Sequence, residues 1–90
     1  MSKIEVRKPT DEELDKRGVR AWPTWEKEAS RFDWSYSDTE ECYLLEGRVI
    51  VETEEGEKVE FGRGDFVTFP RGLSCTWDVK EPVKKHYNFK

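Results

Sequence analysis

Between positions 73 and 79 the chain alternates without a fault. Leu73, Cys75, Trp77 and Val79 are apolar, and Ser74, Thr76 and Asp78 between them are polar. A period of two marks a strand with one buried face, which points Cys75 and Trp77 inward together. The same period recurs over residues 31–36, with Phe32, Trp34 and Tyr36 on one face and Arg31, Asp33 and Ser35 on the other. Over residues 83–89, Val83, Tyr87 and Phe89 lie opposite Lys84, His86 and Asn88. Residues 41–45 and 48–53 read as two strands joined by a hairpin at Glu46-Gly47, with Glu40, Cys42 and Leu44 on one face and Tyr43 and Leu45 on the other. Strands are also expected over 58–61 and 66–69. Turns fall at Glu55-Gly56, Gly62-Arg63-Gly64 and Pro70-Arg71-Gly72, and Lys80-Glu81-Pro82 breaks the run between the last two strands. Seven or eight short strands at this spacing predict an all-β sandwich or barrel, and closure leaves fewest edges to protect.

One segment departs from this period. Residues 11–17 predict a short helix, with Thr10 capping its free N–H groups, Glu13 reaching back in a capping box and Gly18 supplying a left-handed exit. Leu14 is its only large apolar residue, so the helix is expected to be a surface flap. The expected organisation is one domain over residues 1–90, with an extension (1–24) that carries the helix and a barrel over 25–89.

Composition narrows the function. Charged residues make up 40% of the 90 positions, but Lys and Arg are interspersed with Asp and Glu and the net charge is −4, so nucleic acid is not an expected partner. Four Trp, three Tyr and five Phe argue against disorder, because large rings dominate core energetics. A chain of this length buries only about 60–65% of its unfolded surface, a thin core. No apolar run approaches a membrane span and no secretory h-region opens the chain, which predicts a cytoplasmic protein with reduced cysteines.

Two segments carry a family resemblance. Residues 40–47 read E-E-C-Y-L-L-E-G, and residues 64–75 read G-D-F-V-T-F-P-R-G-L-S-C. The second matches the cupin motif G-(x)5-P-x-G-(x)2-H except at Cys75, which stands where histidine is usual. With F-D-W-S-Y (32–36), C-T-W-D-V (75–79) and E-P-V-K-K-H-Y (81–87), the chain resembles small single-domain cupins related to (S)-ureidoglycine aminohydrolase. That resemblance implies a double-stranded β-helix jelly roll with a ligand pocket inside it, and it puts Glu40 at the glutamate position of the usual metal set. One spacing puts Asp33 and Ser35 at the two histidine positions, and a spacing one residue shorter puts Trp34 and Tyr36 there. Neither supplies a histidine.

The candidate pocket therefore comprises Trp34, Tyr36, Glu40, Cys42, Cys75 and Trp77, with Glu40 and Cys75 as candidate catalytic groups. Buried cysteines usually behave as small hydrophobes, so no metal or other cofactor is expected. The alternative is a divalent ion, zinc or manganese, held by Glu40, Cys42 and Cys75. Glu40 has two readings: an inward, unpaired carboxyl of raised pKa able to move protons, or a solvated carboxylate at the barrel mouth. His86 is expected at the rim. The leading function is binding of a small organic molecule in an aromatic-lined pocket. The alternatives are a metal-dependent hydrolase resembling the aminohydrolase, and a structural or accessory dimer. A homodimer is expected because Tyr43, Leu45 and Ile50 form an apolar outer face that needs cover.

Overall fold

The structure, a computed structural model, describes residues 4–90; the first three residues of the expected extension lie outside it. Among the described residues, seven strands, one helix and one 3-10 turn follow in the order β1 (Glu5–Arg7), α1 (Asp11–Arg17), the turn Val19–Ala21, β2 (Thr24–Lys27), β3 (Ser30–Ser35), β4 (Glu40–Thr53), β5 (Lys58–Gly62), β6 (Phe66–Phe69) and β7 (Ser74–Phe89). Every strand pair is antiparallel. The two long strands, β4 and β7, run against each other from Glu40↔Phe89 to Thr53↔Cys75. The first part of β4 also takes β6, and β1 beyond it, whereas the second part takes β5. Likewise β7 takes β3 along its first part and β2 along its second. Two layers result, β5-β4-β7-β3 and β1-β6-β4-β7-β2, joined by long strands that bend from one into the other: the all-β jelly roll that the resemblance implied.

Those bends correct the expected turns. Glu46-Gly47 makes no hairpin and Lys80-Glu81-Pro82 makes no break; both lie inside continuous strands. They face each other across the ladder, where the register shifts between Leu44 and Val49. Glycine and proline in mid-strand look like turn signals, but a bulge at such residues bends a strand without reversing it. Gly47 has φ 102°, and a Cβ there would lie 2.5 Å from the Pro82 carbonyl oxygen and 2.7 Å from Val83 Cα. Only glycine lets the two backbones approach this closely.

The main core lies between the layers. It holds Leu44, Val49, Val51, Phe61, Val67, Phe69, Trp77, Val79 and Val83, all buried. A second, smaller cluster lies outside the sheet, where Leu14 and Val19 cover Phe66, flanked by Trp22 and Tyr43. The helix is therefore a lid and not a flap: Leu14 is only 1% exposed. Thr10 Oγ1 accepts the Glu13 N–H at 3.1 Å, and Gly18, at φ 69°, returns its N–H to the Asp15 carbonyl. The Glu13 side chain does not complete the capping box. Two guanidiniums are stronger partners for a carboxylate than one backbone N–H, and it binds Arg7 and Arg17 instead. Residues 5–7, within the expected extension, form β1, an edge strand of the sheet paired with β6.

Candidate functional site

A cavity of about 170 Å³ opens on the inner face beside β2, β3 and the ends of β4 and β7. Strand pairing builds its wall. Phe32 and Trp34 of β3 stand opposite Trp77 and Cys75 of β7, and Trp25 of β2 stands opposite Lys85. Trp25, Phe32, Trp34, Tyr36, Trp77, Tyr87 and Phe89 line it, and the charged lining is Glu40 and Lys85. Phe32 stacks on Trp77 with ring centroids 6.0 Å apart and planes 17° apart, and Trp25 meets both edge-on. Tyr36 stacks on Phe69 at 4.9 Å. Trp34 and Phe89 remain 45% and 47% exposed, so the rim itself is apolar.

Glu40 and Lys85 form an ion pair with Nζ 2.8 Å from Oε2, their side chains 4% and 6% exposed. Lys85 Nζ also lies 4.6 Å from the Trp77 ring centroid and 5.0 Å from that of Trp25. One carboxylate and two π faces thus replace the water an ammonium loses on burial. The Tyr36 hydroxyl accepts the Trp77 Nε1–H at 3.1 Å, which leaves its own proton to donate. Burial, reinforced by the nearby Glu40 charge, pushes the Tyr36 phenol far up, so it remains a donor at any ordinary pH.

Of the residues singled out by sequence, the structure brings Trp34, Tyr36, Glu40 and Trp77 to this one cavity. Cys42 and Cys75 are buried in the core beside it and do not line it. Burial pushes the Cys42 thiol up to about 12, against a smaller opposing pull from Lys85, and the Cys75 thiol up to about 11, helped by Asp33 and Glu40. Neither sulfur is a ready thiolate, and thiolates are what bind metals and attack electrophiles. Glu40, Cys42 and Cys75 do not gather as a ligand set, and no group of three or more such donors exists among the described residues. The two spacings resolve to Trp34 and Tyr36 inward; Asp33 and Ser35 bond outward to Thr76 and Ser74. Glu40 fits neither of its two readings, being inward but paired. His86 lies on the other face of β7, its Nδ1 2.9 Å from the Trp22 carbonyl oxygen.

Sequence reasoning missed Lys85, although the signal was present. In the alternation of β7 it shares the inward face with Val83 and Tyr87, and a lysine at an inward strand position is rare without a partner. It also missed Trp25, which reaches the wall only because β2 adds to the edge of β7.

A model of the EutQ-like cupin domain matches residues 14–87. The chain belongs to that family. Among solved cupins of this kind, a DUF861 family protein from Thermotoga maritima is 53% identical, with a TM-score of 0.97, and the match covers 98% of this chain and 100% of that one. A putative ethanolamine utilization protein Q from Salmonella typhimurium is 26% identical with a TM-score of 0.67, over 73% of this chain and 53% of that one. The Clostridium difficile EutQ protein, 23% identical with a TM-score of 0.67, shares the fold over 73% of this chain. This cupin spans about half the length of the two EutQ proteins. No functionally curated protein matches its sequence.

Proposed function

We propose that this chain is a binding cupin, taking a small organic molecule into its aromatic pocket without a histidine metal set. The observation that carries the reading is the cavity itself: seven rings around one buried, mutually neutralised ion pair, open to solvent through an apolar rim. Pockets of this make-up, mostly apolar with a few convergent polar groups, are the usual form of small-molecule sites. Glu40 stands where the cupin resemblance puts a metal-binding carboxylate, but the cation beside it is the Lys85 ammonium. The donor set therefore does not suit a divalent ion, and the hydrolase reading related to ureidoglycine aminohydrolase has less support. Elemental analysis of untagged protein separates the two: less than one equivalent of transition metal is expected. A stoichiometric zinc or manganese signal lost in Glu40→Ala would favour the hydrolase.

A thermal-shift screen of small ring-bearing compounds tests binding directly, because a ligand at 100 times its Kd stabilises by about 2.7 kcal/mol. Hits should raise the Tm of the wild type and act more weakly on Trp34→Ala, which trims the exposed rim and spares the core. A screen without hits, or hits indifferent to Trp34, would count against the pocket.

A further inference from the structure

The polar lining of the cavity carries one positive and one negative charge, 2.8 Å apart, and each is almost wholly withdrawn from water. We infer that the pocket selects an uncharged molecule about the size of a single ring, bearing a hydroxyl or amide head that accepts from Lys85 and donates to Glu40, and that it excludes both anions and cations. This rests on the binding reading above. The size follows from volume: an apolar cavity of ~150 Å³ takes up benzene, and this one measures about 170 Å³.

The charge selection follows from the pairing. An incoming carboxylate gains Lys85 only by facing Glu40, and an incoming ammonium gains Glu40 only by facing Lys85. In either case one like-charge contact offsets one opposite-charge contact, and the ion still loses its hydration. A hydroxyl or primary amide loses far less on desolvation, and it is both donor and acceptor. Glu40 can only accept and the ammonium can only donate, so such a head satisfies both without parting them. Tyr36 supplies a second fixed donor on the same wall, because its oxygen is already taken by the Trp77 N–H. The apolar remainder of the ligand then lies against Trp77, Phe32 and Trp25.

Three probes with one ring and three heads test this: benzyl alcohol, benzoate and benzylammonium at pH 7, titrated into the full chain by tryptophan fluorescence and ¹H–¹⁵N NMR. In the wild type the alcohol should bind at least about tenfold more tightly than either ion, a difference of about 1.4 kcal/mol. E40Q leaves the ammonium uncompensated and should shift preference to benzoate, and K85M should shift it to benzylammonium. E40Q and the wild-type series suffice if K85M does not fold. A wild type that prefers either ion, or an E40Q that leaves the order of the three probes unchanged, overturns the charge selection and leaves the binding reading standing. If no probe perturbs the fluorescence or the amide signals of residues around the cavity, both are overturned.

Discussion

Lys85 and Glu40 are costly residues to bury, and the arrangement around them shows how the cost is met. The ammonium has a carboxylate at 2.8 Å and tryptophan faces on two sides. Losing either partner strands a charge in the interior, so Lys85→Met and Glu40→Gln are each expected to lower stability by roughly 3–5 kcal/mol in urea unfolding. The double substitution should cost clearly less than the sum of the two, because it strands nothing; additive losses would mean that the pair is not coupled. The two thiols give a second test. Each holds its proton more tightly folded than unfolded, where the ordinary value is 9.0. Their contribution is therefore complete below about pH 9 and is lost as the pH rises through about 11 for Cys75 and about 12 for Cys42. Denaturant titrations from pH 8 to 11 should show stability falling, and the fall should shrink in a Cys42→Ala, Cys75→Ala variant. Native-state labelling by thiol reagents at pH 8 should be far slower than for free cysteine.

At the scale of elements, the joint bend of β4 and β7 determines where the pocket lies. The bulge around Gly47 lets the second part of β7 turn into the other layer, and that part carries Lys85, Tyr87 and Phe89 to the cavity. Gly47→Ala combines an unfavourable φ with a Cβ that meets backbone at 2.5 Å, and backbone cannot rotate aside as a side chain can. It is expected to destabilise by more than about 1 kcal/mol, read from the shift in urea midpoint, and to move the amide signals of β7 beyond Pro82. The same change at Gly56, where a Cβ meets nothing within 4 Å, isolates the φ effect from the clash.

For the whole molecule, the outer face of the sheet is the question that bears on assembly. The helix and the 3-10 turn cover Phe66 and Tyr43 from within the chain, so part of the face that argued for a second copy is already closed. Leu45 and Ile50, on the outer face, are only half-buried. A homodimer remains the expectation, and light scattering at micromolar concentration should report twice 10.7 kDa. A mass of 10.7 kDa would mean that the helix and Trp22 suffice as cover. No helix of the described residues is long and apolar enough to cross a membrane.

The alternation of β3 and of the two halves of β7, the Thr10 and Gly18 caps of the helix and the turns at Gly56, Gly64 and Gly72 were legible in the sequence, because each depends on residues close along the chain. The inward direction of Trp34, Tyr36, Glu40 and Trp77 was legible for the same reason once register was granted. Three features required the tertiary structure. Whether Gly47 and Pro82 reverse the chain or only bend it depends on the partner strand each one faces. Trp25 joins the pocket because β2 happens to lie along β7, some sixty residues away in sequence. The partnership of Glu40 depends on a lysine forty-five positions distant, and a local pattern records which way a side chain points but not what meets it there.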